Sequence, residues 1–296
     1  MKYMCVKKDI SSEELRQLQL TELEMIVEVD RICRKYQIQY SLDGGTLLGA
    51  VRHKGFIPWD DDADVIFTRH EYAKFYRVCK KELDRERFFL QEYRTDPGYR
   101  WGYAKLRRKG TEYVRSGQEH MHYKTGVCID VFVVDNVPDQ PVLRHIYHDI
   151  NFCIRKILYS EWGMRAANQI WMRLFYRMLY LIPRDFCFQL RNRLASWCNR
   201  KETRRKAHLL YPYPRKESKY GMPAHCFDSY VEIEFEGMRF FAFRAYDEYL
   251  SLLYGNYMEL PPEEKRGRPG RASTVRLLDI TLGEIQEHYR KYNICC

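Results

Sequence analysis

Four carboxylates crowd into five positions of this sequence, Asp60, Asp61, Asp62 and Asp64, and the apolar residues 65–67 follow them directly. The apolar run predicts a buried strand. Alternate residues on a strand share a face, so Asp62 and Asp64 should point the same way, and Asp60 could join them. Like charges held this close are unfavourable unless a cation lies between them or one carboxyl takes a proton. Two interpretations are open at this point: a site for Mg²⁺ or Mn²⁺, which prefer oxygen ligands, and a solvated acidic turn.

The turn Gly44, Gly45 and Thr46, fifteen residues upstream, favours the metal site. Glycine lacks a Cβ atom, so its backbone can approach a phosphate closely and donate amide hydrogens, and the Thr46 hydroxyl adds another donor. Residues 46–52 predict a short helix whose positive N-terminal end would face the phosphates. Together with carboxylates at the edge of a strand, this turn indicates phosphoryl or nucleotidyl transfer.

Residues 126–134 are the clearest central strand of the sequence, because they are nearly all apolar apart from Asp130. A charge inside such a strand is costly without a counter-charge. We therefore expect Asp130 to face the metal ions as a third carboxylate. Asp135 and Asn136, which precede a Val-Pro pair, predict the turn that ends this strand.

The segment 101–114 predicts a β-hairpin that turns near Lys109 and Gly110. Lys105 and Arg107 lie two residues apart on its first strand and so share a face. We expect both side chains to neutralise the phosphates of a bound donor. Ordinary surface charges are the alternative interpretation.

The remaining periodicities indicate an α/β (α+β) fold in which helices flank a mixed sheet. Ser11 followed by Glu14 is a capping-box pattern that begins the first helix. Aromatic alternation on both sides of Glu236 and Gly237 predicts a second hairpin. The segments predicted as helices are 11–36, 70–83, 246–254 and 282–292, and those predicted as strands are 39–42, 88–93, 230–235 and 238–243.

No repeat or linker divides the sequence, so 1–296 is expected to be a single catalytic domain. Within it we expect a core at 12–140, a basic helical insertion at 141–215 and a C-terminal hairpin with helices at 216–296. No segment resembles a signal peptide or a membrane span, which predicts a cytoplasmic protein.

The charge of the chain is concentrated in the insertion. Residues 153–206 contain thirteen Lys and Arg against three acids, a balance of +10 that equals the net charge of the whole sequence. Such a surface attracts nucleic acid, an anionic membrane face or a phosphorylated acceptor.

Apolar residues also recur in this insertion at helical spacing. Such a pattern indicates either a buried core helix, which is the more common case, or a basic amphipathic element on the inner membrane face. The apolar residues are Ile170, Trp171, Leu174, Phe175, Met178, Leu179 and Ile182.

Ten cysteines are many, but their spacing contains no CxxC pair and no Cys/His ladder for zinc. We expect reduced and mostly buried side chains. Cys295 and Cys296 could form an acylation or redox site, and an inert tail is the favoured alternative.

The segment from Leu42 to Phe67 resembles the signature of the LicD/fukutin family, phosphotransferases built on a nucleotidyltransferase-type fold. Three further segments resemble family motifs in the same order. They are AKLRRKGT (104–111), GVCIDVFVVDNVP (126–138) and LYGNYMELPPEEK (253–265). Asn256 departs from the last motif, in which an acid often follows the glycine, and this puts a charge-based role there in doubt.

The resemblance implies metal-dependent transfer of a substituted phosphate, first of all phosphocholine from CDP-choline, to a hydroxyl of a cell-surface glycan or its lipid-linked precursor. Asp62 and Asp64 would hold two Mg²⁺ ions, Asp130 would complete the triad of acids, and Asp60 would be an additional ligand. The residues expected to bind the nucleotide phosphates are Gly44, Gly45, Thr46, Arg52, Lys105 and Arg107.

Two alternative activities stay open: transfer from CDP-ribitol or CDP-glycerol, and nucleotidyl transfer to RNA, which uses the same carboxylate chemistry. The sequence contains no recognisable RNA-binding module, so nucleic acid is not the expected partner. A catalytically silent scaffold is disfavoured because every acid that the site needs is present. If choline is transferred, one or more of Trp59, Trp101 and Tyr103 should face its trimethylammonium group.

Overall fold

The structure, a computed structural model, describes residues 10–209, 220–266 and 272–293. Cys295 and Cys296 lie outside those residues, as does most of the basic stretch 266–271. The strands are β1 (Ser41–Leu42), β2 (Asp64–Thr68), β3 (Phe88–Gln91), β4 (Ala104–Arg108), β5 (Glu112–Arg115), β6 (Cys128–Asn136), β7 (Arg205–Ala207), β8 (Met222–Pro223), β9 (Tyr230–Phe235), β10 (Met238–Phe243) and β11 (Ala272–Arg276). The helices are α1 (Ser12–Lys35), α2 (Gly44–His53), α3 (Arg69–Glu82), α4 (Pro141–Leu158), α5 (Ser160–Ala166), α6 (Ile170–Tyr180), α7 (Arg184–Cys198), α8 (Tyr246–Tyr254) and α9 (Leu282–Asn293), with short 3-10 turns at Ala224–Phe227 and Glu263–Lys265.

A mixed sheet lies at the centre of the fold, in the order β1-β2-β6-β4-β3, and β7 with β8 extends it beyond the end of β6. β2 and β6 run parallel, whereas the other pairs are antiparallel. Helices α1 and α3 pack against its central strands. The predicted fold class, a mixed sheet flanked by helices, is confirmed.

Several local predictions agree with the structure. Ser11 Oγ accepts a hydrogen bond from the backbone N–H of Glu14 at 3.2 Å, and the Glu14 carboxylate accepts one from the backbone N–H of Ser11 at 3.0 Å. This is the predicted capping box, and it begins α1. The hairpin β9–β10 and helix α8 occupy the residues predicted for them.

The hairpin predicted over 101–114 is wrong, although the chain does turn at Gly110, whose φ is +80°. β4 has β3 on one edge and β6 on the other, so no edge of β4 is left for β5. β5 instead pairs with β11, near the end of the described chain. The turn residues therefore indicated that the chain reverses at this point, but not which strand pairs with β5.

The turn predicted at Asp135 and Asn136 is also wrong, because β6 continues through both residues and pairs there with β7. Asp135 is only 1% exposed, and Arg69 compensates its charge, with Nε donating to Oδ1 at 2.7 Å. Asn199 donates a further hydrogen bond to the same oxygen at 2.6 Å. A buried carboxylate that is paired and hydrogen-bonded in this way can lie within a strand.

The core interpretation of the apolar stripe in α6 is wrong. None of the α6 residues is buried, and Ile170, Leu174 and Met178 are 75%, 58% and 69% exposed. A spacing that usually marks a core helix here marks an outward surface. In the described part of the chain, no helix has both the length and the apolar character needed to span a bilayer.

Replacing Asp135 by alanine would remove the carboxylate that neutralises the Arg69 guanidinium and would leave this charge without its partner. We expect the free energy of unfolding, measured by urea denaturation, to fall by about 3 kcal/mol. The control Glu287→Ala removes an exposed pair with Lys291 at 2.9 Å and should change stability by less than about 0.5 kcal/mol. Equal effects of the two substitutions would contradict the assigned role of Asp135.

Candidate active site

A row of charged side chains crosses three adjacent strands of the sheet. Asp64, at the start of β2, is paired in register with Asp130 of β6, and Asp130 is paired with Lys105 of β4. Residues paired in this way point to the same face, so two carboxylates and one ammonium lie side by side. The structure thus brings Asp130 next to Asp64, as expected from the sequence, and their catalytic role stays a prediction.

The turn around Thr46 holds the start of β2 in place. The backbone N–H of Asp64 donates to Thr46 Oγ1 at 2.8 Å, and the backbone N–H of Asp43 donates to the carbonyl of Asp64 at 3.0 Å. Asp43 in turn accepts a hydrogen bond from the hydroxyl of Tyr249 in α8, at 2.6 Å. Thr46 therefore has a structural role, and it keeps its own hydroxyl proton for donation.

Gly44 and Gly45 allow carboxylates to approach the first turn of α2. A Cβ atom at Gly45 would lie 2.6 Å from Asp60 Oδ2, and one at Gly44 would lie 3.2 Å from Asp64 Oδ2. Gly44 also has φ +50°, in the left-handed region that favours glycine. The N-terminal end of α2 consequently faces Asp60 and Asp64, where negative charge is favourable.

A second group of acids lies in the loop before β2. Asp60, Asp61 and Asp62 each offer an oxygen within 4.8 Å of the others, a spacing that suits a shared cation. Arg115 lies 3.9 Å from Asp61 and 3.7 Å from Asp62, and Tyr113 donates to Asp61 at 3.1 Å. Sequence reasoning missed Tyr113 and Arg115. The alternation of side chains along a strand places both on one face of β5. Which residues that face contacts depends on the pairing of β5 with β11, which the sequence does not indicate.

Burial and mutual repulsion set the proton affinities of these acids. Burial, followed by the Asp62 and Asp130 carboxylates, raises the pKa of Asp64 well above its usual range. Burial and the neighbouring Asp62 raise the pKa of Asp60 to about 7, and burial also raises the pKa of Asp62. A bound divalent cation would replace this repulsion by attraction.

Lys105 and Arg107 share a face, as predicted, and both line the cavity beside the acids. Burial alone would lower the pKa of Lys105, but its ion pair with Asp130 raises that pKa above the ordinary value. Arg107 is 5% exposed and donates to the carbonyl of Gly126 at 2.6 Å and to the side chain of Gln91. Lys105 therefore contacts the acidic row, whereas Arg107 braces the cavity wall.

Arg52 lies at the opposite end of α2 from the glycines. Its Nη1 donates to the carbonyls of Tyr257 at 2.8 Å and Glu259 at 3.3 Å. At about 1.5 Å per residue, it is roughly 10 Å along the helix from Gly45. The structure does not bring Arg52 to the carboxylates. Its hydrogen bonds tie α2 to the segment 253–265, and phosphate binding by this residue stays a prediction.

A cavity of about 290 Å³ opens beside the carboxylates, and its wall includes Asp62, Asp130 and several aromatic rings. Of the three aromatic residues proposed from the sequence, Trp101 and Tyr103 line this cavity. Trp59 instead packs edge-on against His53 and lies under the guanidinium of Arg266. The aromatic residues of the wall are Trp101, Tyr103, Tyr113 and Tyr123.

Glu22 of α1 faces the same cavity, and sequence reasoning missed it. Its side chain is 1% exposed, and Oε2 has no hydrogen-bond partner among the described residues. Burial, with Asp62 as the next cause, raises the pKa of Glu22 well above its usual range. A signal was present, because Leu18, Glu22 and Met25 recur along one buried stripe of α1, where a charge stands in an apolar position.

The family model that describes the LicD/FKTN/FKRP nucleotidyltransferase domain matches residues 37–195, more than half of the chain and the part that contains the acids of β2, β6 and the preceding loop. The chain belongs to the LicD family. The lipopolysaccharide cholinephosphotransferase LicD of Haemophilus influenzae is 32% identical over 269 residues, which span 84% of this chain and 93% of that protein. An uncharacterized protein of Rickettsia typhi is 29% identical over 130 residues, 44% of this chain and 33% of its own length.

Membership of the LicD family makes the protein a phosphotransferase, which confirms the enzyme class predicted from the sequence. The range matched by the family model begins after α1 and ends within α7. Glu22 and the segment 253–265 therefore lie outside that range, although Glu22 lines the cavity and the Tyr254 hydroxyl lies 3.6 Å from the position of a Cβ atom at Gly44.

Alanine at Gly45 must displace Asp60, because its Cβ would lie 2.6 Å from the carboxylate. We expect Gly45→Ala to lower the free energy of unfolding by about 0.5–1 kcal/mol, because the displaced Asp60 carboxylate loses the favourable N-terminal end of α2. Gly283→Ala in α9 is the matched control, since an added Cβ there meets no atom within 4 Å, and it should be neutral or stabilise by up to about 1 kcal/mol. Thermal denaturation compares the two variants. A Gly45→Ala protein as stable as Gly283→Ala would show that Asp60 does not require the glycine.

Proposed function

We propose that this protein transfers phosphocholine from CDP-choline to a hydroxyl of a cell-surface glycan, such as lipopolysaccharide, or of its lipid-linked precursor, and releases CMP. The observation that carries the proposal is the pairing of Asp64 with Asp130 beside the Gly-Gly turn, in a chain that is 32% identical to a lipopolysaccharide cholinephosphotransferase. We further propose that the reaction takes place in the cytoplasm.

The acids of the site fit Mg²⁺ or Mn²⁺. All of the proposed ligands are carboxylate oxygens, which hard divalent ions prefer, and the pKa values of Asp60, Asp62 and Asp64 are raised by burial and by neighbouring carboxylates, both of which a bound cation would offset. We propose that Asp62, Asp64 and Asp130 bind the metal ions and that Asp60 is an additional ligand. Bound ions would lower the pKa of the acceptor hydroxyl and neutralise charge on the leaving CMP.

Cationic side chains of the cavity wall would neutralise the phosphates of the donor. Lys105 contacts Asp130, and Arg115 lies 3.7 Å from Asp62, so both positive charges are next to the acids. Fixed charges in such positions stabilise the transferring phosphoryl group without further rearrangement. The backbone amides of Gly44 and Gly45, at the N-terminal end of α2, would add hydrogen-bond donors to the nucleotide phosphates.

Trp101 and Glu22 give the cavity the chemistry of a quaternary-ammonium site. The Lys105 ammonium lies 5.0 Å from the Tyr103 ring, which therefore already faces a cation. Trp101 has no such cation among the described residues, and indole is the ring that attracts cations most strongly. Glu22 supplies a buried carboxyl without a hydrogen bond at Oε2, and a cationic ligand would favour its ionised form. We place the trimethylammonium group of choline beside these two side chains.

In the presence of Mg²⁺ and a glycan acceptor, the purified protein should release CMP from CDP-choline. Asp62→Ala should lower the rate by about 10²–10³-fold, because the charge that develops on the leaving group would lose its stabilisation. Chelation of divalent ions should abolish the reaction, and Mn²⁺ should restore it. Asp149→Ala is the matched control, since that acid is 78% exposed on α4 and should retain full activity.

The same assay with CDP-ribitol and CDP-glycerol identifies the transferred group. Preferential release of CMP from either compound would identify that alcohol phosphate, and not phosphocholine, as the transferred group. The proposed metal site would be unaffected by this result. Consumption of CTP or ATP with RNA, without release of CMP from any donor, would favour the nucleotidyltransferase alternative. Full activity of a protein in which both Asp62 and Asp64 are alanine would refute the metal-site proposal.

Trp101→Leu and Glu22→Gln should each weaken the binding of CDP-choline by roughly tenfold while leaving the affinity for CMP unchanged, because each removes attraction for the cationic group alone. Titration calorimetry measures both ligands. In the wild type, the preference for CDP-choline over CMP should fall as the pH drops through the raised pKa of Glu22, since the protonated carboxyl no longer attracts a cation. Glu22→Gln should lack this pH dependence.

Trp59→Leu is the control for these measurements, because Trp59 packs against His53 and Arg266 rather than on the cavity wall. It should bind CDP-choline and CMP as the wild type does. Equal losses of both ligands in the Trp101 and Glu22 variants would indicate damage to the whole cavity and would remove the assignment of the choline position.

A further inference from the structure

The outward face of α6 is a continuous apolar surface. Because successive residues of an α-helix are rotated by about 100°, its exposed apolar side chains occupy an arc of about 140° around the helix. The six side chains, called the α6 arc below, are Ile170 (75% exposed), Trp171 (62%), Leu174 (58%), Phe175 (49%), Met178 (69%) and, at the residue that directly follows α6, Leu181 (78%). A contiguous apolar surface of this kind marks an interaction site.

The opposite side of α6 fixes this helix to the protein. Tyr176 packs on Gly163 of α5 so closely that a Cβ atom at Gly163 would lie 2.7 Å from the tyrosine ring. Met172 and Leu179 are half-buried on the same inner side, and α4 also contacts α6. The α6 arc is therefore presented outward by a helix that is already packed on its other side.

The charges around the arc indicate what it binds. Arg173 and Arg177 are exposed and border the arc along one edge, α6 contains no acid, and Trp162 of the adjacent α5 is 43% exposed. An apolar face bordered by arginine and tryptophan is typical of a helix that lies in the interface of a bilayer, with its apolar side chains among the acyl chains and its guanidinium groups at the lipid phosphates.

A second copy of the chain fits this surface less well. In a two-fold symmetric dimer with antiparallel α6 helices, the arginine border of each copy would lie beside the arginine border of the other. Like charges brought together at an interface oppose association, whereas the phosphates of anionic lipids attract the same side chains. The positive border therefore favours a membrane over self-association.

We propose that the α6 arc docks the protein peripherally on a membrane that contains anionic lipids, with α6 parallel to the membrane surface. The helix has 11 residues, whereas a span needs about 20, so it lies on the bilayer and does not cross it. This proposal rests on the exposed surface alone and does not depend on the reaction proposed above. A protein inactive with every donor would still be expected to bind such a membrane.

Vesicle flotation of the full chain tests the proposal, with vesicles of phosphatidylcholine alone or mixed with phosphatidylglycerol. The wild type should bind the mixed vesicles. Leu174→Ser with Met178→Ser should weaken binding by roughly tenfold for each side chain, since each loses its burial among acyl chains. Arg173→Gln with Arg177→Gln should weaken binding to the mixed vesicles by roughly fivefold for each arginine, with little change on neutral vesicles.

Met258→Ser with Leu260→Ser is the matched control, because these side chains are 56% and 53% exposed outside α6 and its arc. This variant should bind the vesicles as the wild type does, and far-UV circular dichroism checks that every variant is folded. Brominated acyl chains should quench the tryptophan fluorescence of the wild type, Trp171→Phe should remove part of that quenching, and Trp171→Phe with Trp162→Phe should remove most of it.

Several results would overturn the proposal. These are absence of wild-type binding to mixed vesicles, unchanged binding of the Leu174 and Met178 variant, and an equal loss in the Met258 and Leu260 control. A dimer in sedimentation velocity, converted to a monomer by Leu174→Ser with Met178→Ser in the absence of lipid, would identify a second copy of the chain as the occupant of the arc instead.

Discussion

The parallel pairing of β2 with β6 places the carboxylates of Asp64 and Asp130 side by side inside the fold. Much of the surrounding structure offsets the resulting repulsion. β4 contributes the ammonium of Lys105, and the N-terminal end of α2 approaches from the other direction over Gly44. The positions of β4 and α2 relative to the central strands therefore depend on charge as well as on apolar packing.

The acids of the site differ from the other buried acids of the molecule. Asp135 is neutralised by Arg69, and Asp30 is neutralised by Arg34 at 2.7 Å. In contrast, the five carboxylates of Asp60, Asp61, Asp62, Asp64 and Asp130 share the two cations Lys105 and Arg115 in the described part of the chain. Such an excess of negative charge would be an unexplained cost in a purely structural cluster. It is understandable where a cation and a phosphorylated substrate complete the charge balance.

Features set by neighbouring residues could be predicted from the sequence. The Ser11 capping box, the β9–β10 hairpin and the position of Asp130 on a central strand each depend on a short stretch of chain and on the environment that its pattern requires. The neighbour of β5 and the continuation of β6 through Asp135 depend instead on segments far away in the sequence. Local turn residues carry no information about them.

The apolar stripe of α6 is a further feature whose surroundings could not be predicted from the sequence, and the acid Glu22 is another. Periodicity identifies a distinct face of a helix but not what covers that face, so an outward α6 has the same pattern as a core helix. Glu22 is one of several acids among the apolar residues of α1, and only the fold shows that it lies on the cavity wall. Both became interpretable only once the surroundings of the side chains were known.

The ends of α2 are held by residues from the far end of the chain. Tyr249 binds Asp43 and Arg52 binds the carbonyl of Tyr257, pairs separated by 206 and 205 positions. A nascent polypeptide cannot make either contact until residues 249 and 257 have left the ribosome, and long-range contacts of this kind form late. Until these residues emerge, the carboxylates around α2 lack the brace that fixes them. A chain truncated before residue 249 would therefore not hold these acids in place.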